Sequence, residues 1–167
     1  ESYKLKCACG IMFNSESERR GENFVTRKIT KFFADYTASL CPKNMYLDLG
    51  NCESKRDWTH ASDSVDAIYK MITQNEPKDY VISSMETHSV ADFYTKCHSL
   101  IINPMKSPVN EIIRVNPKFF RPNEVPYLKG DSTQLRKDTG WCNKVSFEQL
   151  VERMYLNDLL NKVGWNG

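Results

Sequence analysis

The feature that most constrains the fold is an alternation of period. Short apolar runs of strand length take turns with segments whose apolar residues recur every three or four positions, and that alternation points to α/β. The run LKCACGIMFN, residues 5–14, reads as a strand ending in polar residues. Between Phe24 and Leu40, the positions Val25, Ile29, Phe32, Phe33, Tyr36 and Leu40 keep helical spacing and predict an amphipathic helix. MYLDLGN, 45–51, alternates Met45, Leu47 and Leu49 against Tyr46 and Asp48, as a strand does. A second helix follows, with Val65, Ile68, Tyr69 and Ile72 predicted as its apolar side, and DYVISS, 79–84, reads as a buried strand. Ser89 with Asp92, and Ser146 with Gln149, form capping boxes that open two further helices. The second of these carries Phe147, Leu150, Val151, Met154, Tyr155 and Leu159. Pro104, Pro108, Pro117, Pro122 and Pro126 argue for extended segments and turns between them. No repeat, low-complexity tract or linker divides the chain, so residues 1–167 read as a single partial domain.

Charge and cysteine usage narrow the function. Lys and Arg number 23 against 21 Asp and Glu, a net charge of +2, which excludes the large basic excess that nucleic-acid or membrane-surface binding relies on. No apolar run approaches the roughly 18 residues of a membrane-spanning helix. Any anion recognition must therefore be local. Cys7, Cys9, Cys41, Cys52, Cys97 and Cys142 form no C-x-x-C pair and no zinc-ligand spacing, and read as buried free thiols of a reducing cytosol. Cys7 and Cys9, two apart, would share one face of a strand. The chain has no G-x-G-x-x-G loop, no G-x-S-x-G, no H-E-x-x-H, and no tyrosine with a lysine four residues on. It starts at Glu1, which suggests a piece of a longer polypeptide.

Three polar clusters could carry chemistry. In the first, Asn14 lies at a strand end, Arg19 and Arg20 in a turn, and Lys28 in the first turns of a helix, where the helix dipole favours an anion. A solvated strand-to-helix loop accounts for the same pattern. In the second, KRDWTHASD, Arg56 offers a planar donor fork suited to phosphate, or pairs with Asp57 on the surface while Trp58 enters the core. His60, lacking a partner, reads as a hydrogen-bonded packing residue. In the third, FFRPNEVPYLKGD, Arg121 could grip a diphosphate and Glu124 a ribose diol, or the two could form an incidental ion pair. His88 needs no role beyond preceding the capping Ser89.

The segments GIMFNSESERRGENFVTRKI, LGNCESKRDWTHASDSVDAIYKM, THSVADF, FFRPNEVPYLKGDST and GWCNKVSFEQLVERM together resemble GDP-mannose 4,6-dehydratases, of the extended short-chain dehydrogenase/reductase group. The resemblance runs from about Tyr3 to Leu160 and implies the C-terminal part of a Rossmann-type fold with a substrate-binding subdomain. The N-terminal dinucleotide-binding half is missing. It implies that Asn14, Val25, Lys28, Arg56, Arg121 and Glu124 bind the GDP-sugar, the last three at the diphosphate and ribose. Ser15 and Arg20 would face NADP, and the loop from Arg19 to Phe24 would reach a subunit contact. It also implies a cytoplasmic enzyme that assembles as a dimer or tetramer. The family's glycine-rich loop and its Thr, Glu, Tyr and Lys belong to the half that is not here, so no catalytic residue is assigned and the chain alone is expected to be inactive. Ser15 stands where the family usually has His, and Glu18 where it usually has Pro, which predicts a looser, more acidic turn. Between His98 and Arg121 the chain looks shorter than its relatives. A non-catalytic nucleotide-sugar-binding remnant is the alternative reading. Parallel strands wanting cover on both faces predict exposed apolar surface and self-association.

Overall fold

The computed structural model describes residues 6–164. Its strands are short and pair two by two. β1 (Gly10–Met12) runs parallel to β6 (Tyr80–Ile82), and β2 (Asn14–Glu16) parallel to β5 (Trp58–His60). β3 (Leu47–Leu49) runs parallel to β8 (Ile113–Val115), and β4 (Lys55–Arg56) antiparallel to β7 (His88–Ser89). The stretch 10–16 thus changes partner at Phe13, and the stretch 55–60 changes partner at Asp57. The predicted first strand begins only at Gly10. Cys7 and Cys9 precede it and are exposed, as is Cys142, so only Cys41, Cys52 and Cys97 are the buried thiols expected.

Six α-helices and one 3-10 turn (Pro117–Phe119) complete the described elements: α1 (Val25–Ala38), α2 (Ala61–Ile72), α3 (Val90–Ser99), α4 (Val109–Ile112), α5 (Thr133–Thr139) and α6 (Phe147–Lys162). The main core lies where α1, α3 and α6 meet, around Phe33, Phe93, Met154 and Tyr155, with Trp58 packed edge-on to Phe93. α1 stops at Ala38. Leu40 and Cys41 then take φ of 62° and 60°, a left-handed turn that throws Leu40 into solvent instead of onto the predicted helix face.

The second helix reverses its expected orientation. Val65, Ile68, Tyr69 and Ile72 are all exposed, while Asp63, Ser64, Ala67 and Met71 are buried. The first turn fixes this rotation. Asp63 Oδ2 accepts from the amides of Lys144 and Val145, each at 3.0 Å, and its carbonyl accepts from Trp141 Nε1 at 3.0 Å. With that turn anchored, Ala67 and Met71 face Tyr80, Ile82, Leu135 and Trp141, and the apolar stripe is left uncovered.

Both capping boxes form as predicted. At α3, burial pushes the Asp92 carboxyl up, but bonds from the Ser89 amide and hydroxyl and the charges of His88 and Lys55 outweigh it and hold the pKa below the usual aspartate value. A depressed pKa contributes stability that is present above the unfolded-chain value and lost as pH falls through the folded one. Acidification below about pH 4 is expected to speed hydrogen exchange at the Ser89 amide. Asp92→Ala, which removes the acceptor altogether, should leave that amide unprotected at every pH.

Candidate functional site

The arginine turn is built from the end of β2 and the start of α1. Glu16 is buried, accepts from Thr26 Oγ1 at 2.7 Å and lies 3.3 Å from Arg20 Nε; burial raises its pKa against the pull of both partners. Arg20 donates from Nη1 to the Ser15 carbonyl at 3.0 Å and stacks 3.5 Å over the Phe24 ring. Its Nε meets Glu16 off-line and makes no hydrogen bond, while about a quarter of the side chain, 24 %, stays exposed. Ser15 Oγ sits 3.3 Å from Ser64 Oγ.

Glu18 does not loosen the turn. Its carboxylate lies 3.3 Å from His60 Nε2, and Arg27 donates to the carbonyls of both Glu18 and Arg20. Burial raises the Glu18 pKa, but its own amide, His60 and Arg153 pull harder and leave it lowered. His60 also caps α2, its Nδ1 accepting from the Ser62 amide at 3.2 Å. Asn14 is half-buried beside Trp58 in register. Val25 is half-buried and Lys28 exposed on the opening turns of α1, the end at which unpaired helix amides favour an anion.

The second and third clusters come together. Arg56 does not pair with Asp57: its Nη2 meets Glu124 Oε1 at 2.6 Å, and its Nη1 donates to the carbonyls of Val125 at 2.7 Å and Lys55 at 2.8 Å. The Lys55 amide donates to the Pro126 carbonyl and the Leu128 amide to the Lys55 carbonyl, which lays 126–128 along β4. Glu124 takes Arg56 as its partner and not Arg121, which is exposed. The segment leading to Arg121 is pressed against the end of β3. The Asn116 amide donates to the Leu49 carbonyl at 2.7 Å, and a Cβ on Gly50 would fall 2.5 Å from the Phe119 carbonyl, so only glycine admits this approach. The structure thus joins Arg56 to Glu124 directly and leaves Arg121 and Lys28 as exposed cations. Among the described residues, no group of three or more His, Cys, Asp or Glu could hold a metal ion, and no helix is long and apolar enough to cross a membrane.

Short strand pairs, three parallel and one antiparallel, with helices packed against them match the C-terminal half of an extended short-chain dehydrogenase/reductase fold. RMD from Pseudomonas aeruginosa, solved with NADPH, superposes with a TM-score of 0.79 at 14% identity over 95% of this chain and 49% of its own. The dTDP-glucose 4,6-dehydratase of Bacillus anthracis, solved with NAD, gives 0.73 at 15% over 98% and 48%. Within that class the chain belongs to the GDP-mannose 4,6 dehydratase family, whose profile matches residues 1–154. The GDP-mannose 4,6 dehydratase of Drosophila melanogaster is 43% identical over 173 residues, covering 95% of this chain and 43% of that protein. The chain therefore spans about half the length of the curated relatives it matches.

Proposed function

We propose that this chain is the GDP-sugar-binding C-terminal portion of a GDP-mannose 4,6-dehydratase, acting on GDP-mannose. The observation that carries the reading is the Arg56–Glu124 pair at 2.6 Å, with Arg121 three residues away on the same segment. A guanidinium fork suits a diphosphate, and a carboxylate suits a ribose diol. On binding, Glu124 would exchange Arg56 for the diol while Arg56 and Arg121 turn to the phosphates. Asn14, which opens β2, and Val25 and Lys28, on the first turns of α1, would take the rest of the nucleotide sugar.

The family reaction moves hydride from C4 of the sugar, removes water across C5 and C6, and returns hydride to C6. The hydride acceptor and donor would be supplied by a nicotinamide dinucleotide, NADP by resemblance. On this chain Ser15 and Arg20 would face it. Arg20 fits the part in that an edge of its side chain stays exposed beside the ion pair to Glu16. The other half of the fold would bring the main dinucleotide loop and the tyrosine–lysine pair, and would cover the bare face of α2. Cytoplasmic localisation and a dimer or tetramer follow from the same reading.

The test is reconstitution. Mixed with the part of the Drosophila relative that precedes the matched region, the chain should yield the 4-keto-6-deoxy product from GDP-mannose and NADP. A folded, assembled pair that makes none would favour the non-catalytic remnant. A single-site expectation accompanies it: Arg121→Ala should weaken GDP binding by about 1–3 kcal/mol, the range for losing a charge-assisted hydrogen bond. Calorimetry showing unchanged affinity would remove Arg121 from the site.

A further inference from the structure

We infer that Asp57 is a positioning residue that sets the geometry of the Arg56–Glu124 pair for a nucleoside diphosphate. Asp57 is fully buried, and its carboxylate gathers donors from two segments distant in sequence. Oδ1 accepts from the Ser84 amide at 2.8 Å and the Ser84 hydroxyl at 2.7 Å. Oδ2 accepts from the Met85 amide at 3.1 Å and the Gly130 amide at 3.2 Å. One side chain therefore ties together the break between β4 and β5, the turn after β6, and the strand-like segment that carries Glu124.

Each attachment is sterically tight. Met85 holds φ of 66°, a left-handed conformation that a methionine seldom adopts, and in it the amide points at Asp57. A Cβ on Gly130 would fall 2.3 Å from Ser83 Cβ and 2.8 Å from Phe13 Cδ2, so the segment can lie this close only with glycine there. Arg56 precedes Asp57 directly, and Gly130 lies six residues past Glu124. Locking residue 57 to residue 130 fixes the two ends of a short clamp whose inner contacts are the Lys55–Pro126, Leu128–Lys55 and Arg56–Val125 bonds. Asp57 is out of solvent and turned from the site, so it acts through Arg56 and Glu124 without touching ligand.

This inference rests on the nucleotide-binding reading of Arg56 and Glu124, and the experiment separates the two. In Asp57→Asn one oxygen becomes an amide that presents hydrogens to amides, so at least one pair of donors loses its acceptor. GDP affinity is measured by calorimetry for the native chain, Asp57→Asn, Arg56→Ala and the double variant. Hydrogen exchange is followed in parallel at the Lys55 and Leu128 amides, with Phe33 and Val151 as core references. The expected result is a loss of about 10-fold or more from Asp57→Asn on the native background and less than about 2-fold on the Arg56→Ala background, the non-additivity of residues acting as a unit. Exchange at Lys55 and Leu128 should accelerate while the references stay protected. Equal losses on both backgrounds, or unchanged exchange at Lys55 and Leu128, would overturn the positioning role. If the native chain binds no GDP, the nucleotide reading fails and the exchange comparison alone decides whether Asp57 holds the clamp. Should Asp57→Asn also expose the reference amides, Ser84→Ala, which deletes the hydroxyl donor to Oδ1 and with it the acceptor of the exposed Glu86 amide, takes its place under the same criteria.

Discussion

Asp158→Ala is expected to lower the unfolding free energy of the chain by about 3–5 kcal/mol, the range for stripping one partner from a buried ion pair. Asp158 lies on α6, 6 % exposed, with Oδ1 at 2.7 Å from Arg27 Nη2 and Oδ2 accepting from Thr30 Oγ1 at 2.7 Å. Both partners sit on α1, so one carboxylate bonds the two helices that frame the main core. Removing it leaves the Arg27 guanidinium nearly enclosed with its closest counter-charge gone, and Thr30 Oγ1 with only the Arg27 carbonyl, at 3.2 Å, to accept from it. Arg27 also donates to the carbonyls of Glu18 and Arg20, so the damage should spread to the arginine turn. Urea denaturation would show a lower midpoint at unchanged slope. The double variant Arg27→Met/Asp158→Leu, which removes both charges and keeps volume, should recover the part of the loss that comes from the unpaired buried charge, but not the bonds from Arg27 to the Glu18 and Arg20 carbonyls. A single-variant loss under about 1 kcal/mol would mean the pair is solvated as a surface bridge is.

How far these features were legible in the sequence depends on whether they were local. Both capping boxes, α1 apart from its last turn, and the core face of α6 follow from spacing and capping within one segment, and all form as expected. α5 was not anticipated, because TQLRKDT offers too few apolar positions to establish a period. The site pairing was half legible. Arg56, Arg121 and Glu124 were singled out by residue type, but which carboxylate meets which guanidinium depends on 124–128 lying beside β4, a contact 68 residues apart in sequence. Asp57 figures in the sequence only as a possible surface partner of Arg56, one of two readings of that cluster. Its donors, Ser84, Met85 and Gly130, are distant in sequence, so no local pattern reveals a buried acceptor. The Arg27–Asp158 pair was missed for the same reason.

α2 is where periodicity gave the wrong answer, and the error has a measurable consequence. The stripe Val65, Ile68, Tyr69 and Ile72 is correctly spaced for a core face, yet it is 64, 38, 63 and 57 % exposed. Ile11 and Met12 on β1, itself paired only to β6 among the described strands, are exposed as well. A helix face and a parallel strand edge left bare in one chain are what half of a larger parallel sheet would present. Alone in solution, the chain should cover this face by self-association. Burying an aromatic or branched side chain contributes about 1.5–3 kcal/mol, so Tyr69→Glu with Ile72→Lys should weaken self-association by roughly 3 kcal/mol, about 100-fold in Kd. Neither residue belongs to the buried set of α2, so far-ultraviolet circular dichroism should be unchanged. Sedimentation velocity is expected to show concentration-dependent oligomers for the native chain and a monomer for the double variant at the same concentration. Adding the complementary N-terminal part of a relative should dissolve the native oligomer into a one-to-one pair and fail to bind the variant. A native chain that sediments as a monomer at high concentration would show that the exposed stripe is too small or too dispersed to drive association. Oligomers that persist in the variant would move the contact to another face.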